Sequence, residues 1–311
     1  MFDGVLNVYK EKGYTSHDVV AKLRGILGQK KIGHTGTLDP DAQGVLPVCL
    51  GKATRLCDML TDHAKTYEAV LLLGKETDTQ DISGQIIAEK EPDVSEEEVC
   101  ETIMGFVGEY AQIPPMYSAR KVNGKKLYEL ARAGKVVERQ PRQVTIYEIA
   151  IKSAALPRVT MTVRCSKGTY IRTLCHDIGQ KLGCGGCMES LLRTQVGRFG
   201  LEDSLRLSRI QELCGQGLLE ERILSIEEMF EQYPKAVTVM EADNLVHNGN
   251  PLRLQDVIPE GHRPDMGRTC LEESAREVYF RVCDSQGNFM GIYKWEQGRS
   301  RLKPWKMFLG G

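Results

Sequence analysis

The apolar positions of this chain change period several times, and those changes mark its elements. From Thr15 to Leu27, the residues Val19, Val20, Leu23, Ile26 and Leu27 recur at helical spacing and fall on one face. Ser16 is placed to cap that helix, with Asp18 in its first turn against the positive end of the dipole. Tyr67 to Leu73 is an apolar run of strand length, rich in Val and Leu. Ser95 followed by three glutamates reads as a second helix start. Val144 to Ile151 and Val159 to Cys165 alternate apolar with polar residues, as half-buried strands do. Helical spacing returns over Arg172–Leu182 and Ser208–Cys214. Strands and helices mix without the strict alternation of a parallel sheet, so the pattern predicts an α+β fold rather than a doubly wound one. No fixed-period repeat is visible.

After Tyr233-Pro234 the runs become short and strand-like: Val237-Thr-Val-Met240, Leu252-Arg-Leu254 and Val278-Tyr-Phe-Arg-Val282. Asp284-Ser-Gln-Gly-Asn288 supplies a hairpin turn, and Phe289 to Trp295 the returning strand. Residues 234–311 therefore read as a compact all-β module.

The 311 residues leave room for such a module beside a larger first domain, residues 1–233. A longest clean apolar run of Ala69 to Leu73 is too short to cross a bilayer, and no basic-then-apolar leader follows Met1. A cytoplasmic protein is expected. Ten cysteines are spread over the chain. Only Cys184-Gly-Gly-Cys187 forms a tight pair, without the second pair that a zinc site needs, so ordinary thiols are expected and no metal.

The net charge of −1 conceals two opposed segments. Between Ser118 and Gln143, eight bases (Arg120, Lys121, Lys125, Lys126, Arg132, Lys135, Arg139, Arg142) face two acids; between Ile86 and Glu101, seven acids face one base. A stretch as basic as the first can track phosphates, although a solvated surface helix would look the same.

The segment richest in chemistry is Gly33-His-Thr-Gly-Thr-Leu-Asp-Pro-Asp-Ala-Gln-Gly44. It cannot be a calcium loop, because the twelfth position from Asp39 is Leu50 and not Glu. Nor is Gly51-Lys52 a phosphate-binding loop, since the upstream glycine position is Leu46 and the hydroxyl position is Ala53. No Gly-x-Ser-x-Gly occurs. What remains is Asp39, held by Pro40 in an extended or turn conformation among glycines that admit a ligand close to the backbone. Such an aspartate can equally shape an Asx-turn and nothing more.

The whole string from Gly33 to Thr54 closely resembles the active-site signature of the TruB family, the bacterial tRNA pseudouridine-55 synthases. Further resemblances follow in the family's order: Lys10-Glu-Lys-Gly-Tyr-Thr-Ser16, Lys65-Thr-Tyr67, Leu73-Gly-Lys-Glu-Thr-Asp-Thr-Gln-Asp-Ile-Ser-Gly84, Ile113 to Gly124, Ser166-Lys-Gly-Thr-Tyr-Ile-Arg172 and Leu191-Leu-Arg-Thr194. They cover most of residues 1–200, and the C-terminal module resembles the family's PUA-type barrel more loosely. Glu11 departs from the family's usual Pro. It alters the stiffness of that segment and leaves the proposed chemistry untouched.

The resemblance implies a pseudouridine-synthase domain with a mixed or antiparallel sheet flanked by helices, acting on the T-arm of tRNA. The isomerisation is internal to one nucleotide and so implies no cofactor. Asp39 is implied as the catalytic carboxylate and Arg172 as the cation that keeps it ionised, a task suited to a permanently charged, bidentate group. Extrusion of the target uridine needs groups to receive it. Tyr67 is implied as a stacking residue, Tyr170 and Leu191 as pocket lining, and His34 as a contact of the displaced loop. Alone, Leu191 would read as core. Within the basic stretch 118–143, Arg120, Lys121, Lys125, Lys126, Arg132, Lys135 and Arg142 correspond to an RNA-clamping insertion that is expected to be poorly ordered without RNA. A monomer working without guide RNA or accessory protein is expected. The rival readings are the same chemistry on another RNA, or a tRNA-binding or tRNA-folding protein without catalysis; the latter would be marked by loss of Asp39, Tyr67 or Arg172.

Overall fold

The computed structural model describes residues 1–118, 120–122, 124–259 and 278–309. The chain divides into two compact units, one of Asn7–Val48 with Leu56–Leu219, the other of Met1–Leu6, Cys49–Arg55 and Glu220–Gly311. The first stretch of chain gives β1 (Gly4–Lys10), α1 (Ser16–Leu27), β2 (Ile32–His34), β3 (Gln43–Leu50), α2 (Cys57–Thr61) and β4 (Lys65–Leu73). Then come β5 (Lys75–Thr77), β6 (Ile86–Glu89), α3 (Glu96–Met104) and β7 (Gly108–Gln112). The basic stretch holds a two-stranded hairpin, β8 (Lys121–Val122) with β9 (Lys125–Lys126), and the short α4 (Leu127–Arg132). The long β10 (Arg142–Ala155) and β11 (Arg158–Cys165) follow, then α5 (Ile171–Leu182), β12 (Gly186–Val196), β13 (Phe199–Gly200) and α6 (Leu207–Gly215).

The central sheet runs β1-β3-β12-β4-β11-β10-β7. Its pairings are antiparallel from β12 through β4, β11 and β10 to β7, and parallel between β12 and β3. This is the mixed α+β architecture that the pattern predicts. Ala69 and Leu71 of β4 and Met161 and Val163 of β11 pack with Val99 and Ile103 of α3 and Leu174 and Ile178 of α5 to make the core. The sheet's inner residues are almost fully withdrawn from water, so their apolar area is the main driving term for this unit.

Two local expectations need correction. The cap of α1 is Thr15, not Ser16: the Thr15 hydroxyl accepts the Asp18 amide at 3.0 Å while the Asp18 carboxylate accepts the Thr15 amide at 2.8 Å, a reciprocal capping box. Ser16 turns inward, where its hydroxyl accepts the Leu38 amide at 2.9 Å. The loop Gly33–Gly44 is also shorter than the composition suggests, because β2 and β3 enter it from both ends. From Gly44 onward β3 is buried on both faces, so it lacks the alternation that announces a half-exposed strand.

The second unit contains β14 (Ile223–Leu224), β15 (Lys235–Thr238), α7 (Asp243–His247), β16 (Leu252–Arg253), β17 (Val257–Pro259), β18 (Tyr279–Cys283), β19 (Phe289–Glu296) and β20 (Arg301–Met307). Six of its strands form one sheet in the order β16-β20-β19-β18-β15-β17, curled as a PUA-like module around Val246, Leu252, Val282, Tyr293 and Leu302. The strand foreseen at Val237–Met240 stops at Thr238, and Met240 opens a 3-10 turn instead. The Asp284–Asn288 turn closes as expected: Asp284 accepts the Gly287 amide at 2.9 Å, and Gly287 takes a φ of 85° that favours glycine. No helix among the described residues is long and apolar enough to cross a membrane.

Candidate active site

Between β2 and β3 the chain makes a tight turn in which the Ala42 amide donates to the Asp39 carbonyl at 3.1 Å. Pro40 fixes the backbone at the apex. Three supports hold this turn from outside: Ser16 on the Leu38 amide, the Gly13 amide on the Pro40 carbonyl at 2.9 Å, and the Lys10 ammonium. Lys10 is fully buried and donates to the carbonyls of Ala42 (2.6 Å), Pro40 (3.0 Å) and Glu11 (3.2 Å). Burial outweighs the nearby Asp39 and brings its pKa down to about 8.

Asp39 faces a cavity of about 830 Å³. Its side chain keeps 36% of its surface exposed, whereas that of Arg172, just inside the start of α5, keeps 5%. One guanidinium nitrogen of Arg172 lies 3.5 Å from Asp39 and the other 3.7 Å from Asp81. The start of α5 is fixed by Gln112, which brackets the Tyr170 backbone with two hydrogen bonds of 2.8 and 3.0 Å, and by Thr173 donating to Gln80 at 2.7 Å. Withdrawal from water raises the Asp39 pKa, Arg172 pulls it back down, and Asp81 pushes it up again. The arrangement keeps one carboxylate close to a cation in a site where ionisation would otherwise be unfavourable.

His34, Leu191, Lys126 and Arg132 line the same cavity, together with Ser118 and Tyr128. His34 packs edge-on against His17 at 5.5 Å, and burial lowers its pKa so that the neutral ring is favoured. Tyr67 is only 8% exposed and does not line the cavity; its ring lies in the core with Leu38 and Leu191. Tyr170 stands beside Arg172, 5.9 Å from ring centre to guanidinium, likewise outside the lining. Of the other basic residues, Arg120 is half-buried, Lys125, Lys135 and Arg142 are exposed away from the cavity, and the Lys121 side chain lies outside the description. Two buried polar atoms of lining residues have no hydrogen-bond partner among the described residues, Ser118 Oγ and Arg172 Nε.

Residues 24–171 match the model of the TruB family pseudouridylate synthase N-terminal domain, and residues 172–231 that of the tRNA pseudouridylate synthase B C-terminal domain. The tRNA pseudouridine synthase B of Lachnoclostridium phytofermentans is 50% identical over 99% of this chain and 100% of its own length. This chain belongs to the TruB family. Its relative of the same name in Alkaliphilus oremlandii is 46% identical over 90% of this chain and 93% of that one. Among solved structures, a chain of an H/ACA RNP bound to a substrate RNA containing 2'-deoxyuridine superposes with a TM-score of 0.70 at 26% identity, covering 99% of this chain and 85% of that one. A chain of a Cbf5-Nop10-Gar1 complex does so with a TM-score of 0.70 at 27% identity, covering 98% and 85%.

Three residues of this TruB-family site, Lys10, Asp81 and Arg193, have no role in the sequence reading, although each stands in a quoted motif. Lys10 and Arg193 lie on strands, where a single buried cation is indistinguishable from a polar outward residue. The one available signal is that each directly follows apolar residues, Val8-Tyr9 and Leu191-Leu192. Cys184 and Cys187 are buried free thiols, and among the described residues no group of side chains could hold a metal ion.

Proposed function

We propose that this TruB-family chain isomerises uridine 55 in the T-arm loop of tRNA to pseudouridine, with Asp39 as the catalytic carboxylate. The observation that carries the reading is the Asp39–Arg172 pair at 3.5 Å, one partner open to the cavity and the other buried. In the reaction the N1–C1' bond breaks, the base turns, a C5–C1' bond forms, the C5 proton leaves and N1 gains one. Asp39 serves this exchange in its ionised form, which Arg172 favours. Leu191 lines the pocket for the extruded nucleotide, and His34 contacts the displaced loop. Tyr67 stacks on the base and Tyr170 lines its pocket after the lining opens toward them; stacking of this kind is worth about 1–3 kcal/mol per base.

Lys126 and Arg132 at the cavity mouth, with Arg120, Lys121, Lys125, Lys135 and Arg142, form the cationic clamp on the arm, its order increasing when RNA binds. Residues 1–233 carry the chemistry, and 234–311 are an RNA-binding module. The protein acts as a cytoplasmic monomer without guide RNA. Carbodiimide mapping of pseudouridine in an unmodified tRNA transcript, after incubation with the pure protein, tests the position. A single new stop in the T-loop is the expected result; modification elsewhere, or only in another RNA, would overturn the assignment.

A further inference from the structure

Arg193 is the largest side chain that the core buries completely, at 1% exposure. A guanidinium in that position would ordinarily be matched by a carboxylate, because an uncompensated buried charge is costly. Among the described residues Arg193 has none. Its donors go instead to two carbonyls around Asp39, Nε to that of Val45 at 2.6 Å and a terminal nitrogen to that of Gly36 at 3.5 Å, while the guanidinium lies beside Tyr67. Gly36 precedes Asp39 by three positions and Val45 follows it by six. One planar group therefore ties together both stems of the catalytic turn.

The backbone reinforces this placement. Arg193 lies directly opposite Tyr67 in the β12–β4 pairing and beside Gly44 in the β12–β3 pairing. A Cβ on Gly44 would lie 2.1 Å from the Arg193 carbonyl oxygen, so the approach of the turn to Arg193 requires glycine there.

We infer that Arg193 is a positioning residue for the isomerisation, acting through the Asp39 turn that its guanidinium ties together, and not a structural cation of the core. This rests on the function proposed above. Charge is part of the task, and the residue must be Arg. The ionisable groups facing it are Tyr67 and Lys65 of β4, Lys10 of β1 and His34 of β2, none of them an acid at neutral pH. The two lysines of this neighbourhood are both brought down to about 8 by burial. A lysine at position 193 would be neutralised in the same way as pH rises, whereas arginine stays charged.

The test compares wild type, Arg193→Met and Arg193→Lys by thermal melting, tRNA affinity and single-turnover release of tritium from C5-labelled uridine, between pH 6.5 and 9.5. Arg193→Met is expected to melt several degrees below wild type, since the Val45 and Gly36 carbonyls lose their donor at about 1–3 kcal/mol each, and to remain folded at the assay temperature. It should bind tRNA within about threefold, since Arg193 makes no surface contact, and turn over at least about 100-fold more slowly, as a lost orientation can cost. Arg193→Lys should recover part of that rate at pH 6.5 and lose it again as pH rises, while wild type shows no matching decline. Wild-type turnover by Arg193→Met would overturn the inference, and so would rate losses that follow the folded fraction or the affinity in both variants. A Lys variant that parallels wild type across the pH range would overturn the need for a permanent charge. If wild type itself releases no tritium, the proposed function fails and this inference with it; an active wild type with indifferent variants sinks the inference alone.

Discussion

Replacing Arg172 with Met would leave Asp39 and Asp81 facing one another across a site built for the cation between them. Removing one partner of a buried ion pair costs about 3–5 kcal/mol in general, and a hydrogen bond to a charged group contributes about 1.5–3 kcal/mol. Arg172 is 5% exposed, which argues for the upper figures, but the 36% exposure of Asp39 admits screening water and argues for the lower. A loss of about 2–3 kcal/mol follows, and at about 1.4 kcal/mol per decade the single-turnover rate should fall about 30- to 150-fold near neutral pH.

The pH dependence carries a sign. Asp39 is active as the anion, its pKa is already raised by burial, and Arg172 is what opposes that rise. Without the cation the pKa climbs further, so the acid limb of the rate moves to higher pH. The deficit is then largest in acid and shrinks as pH increases. The assay is tritium release at enzyme excess from pH 5 to 9, with affinity measured in parallel. An unchanged acid limb, or one displaced to lower pH, would refute the electrostatic role assigned to Arg172.

Other substitutions separate the parts of the site. Thr15→Ala removes the cap of α1 and should cost about 1 kcal/mol in urea unfolding with little change in rate, whereas Ser16→Ala releases the Leu38 amide beside Asp39 and should slow turnover as well. Gly44→Ala forces a Cβ into the Arg193 backbone at a φ of 105°, and is expected to destabilise by at least about 2 kcal/mol and to lower the melting temperature by roughly 4–8 °C. Lys126→Ala and Arg132→Ala should each weaken tRNA binding and flatten the dependence of log Kd on log salt by about 1. An unchanged slope would remove those two residues from the clamp.

The Ser95 cap and the glutamates after it announce α3, while periodicity alone located α1, α5, α6 and the long strands β10 and β11, because each has one wet face and one dry face. It missed β3 and β12, where the backbone sits in the middle of the sheet and apolar residues do not alternate with polar ones. The cap of α1 was assigned one residue late, since Thr15 and Ser16 are equally able to cap and only the inward turn of Ser16 toward Leu38 distinguishes them. Asp39 and Arg172 were legible through motif resemblance, 133 positions apart, and local chemistry could not have paired them. Lys10 and Arg193 escaped because their partners are main-chain carbonyls, all but that of Glu11 lying 30 to 157 positions away, and a carbonyl leaves no mark on the sequence. Tyr67, which the resemblance implies as a stacking residue, lies in the core beneath the lining, a depth that a strand pattern cannot express.

The central claim is that Asp39 performs the chemistry on a tRNA uridine. Single-turnover tritium release from a C5-labelled transcript, with wild type and Asp39→Asn side by side, tests it most directly. The account predicts about one equivalent released by wild type, since a single uridine exchanges its C5 hydrogen, and none by the variant at equal tRNA affinity. Release by Asp39→Asn at the wild-type rate, or binding without release by wild type, would contradict it.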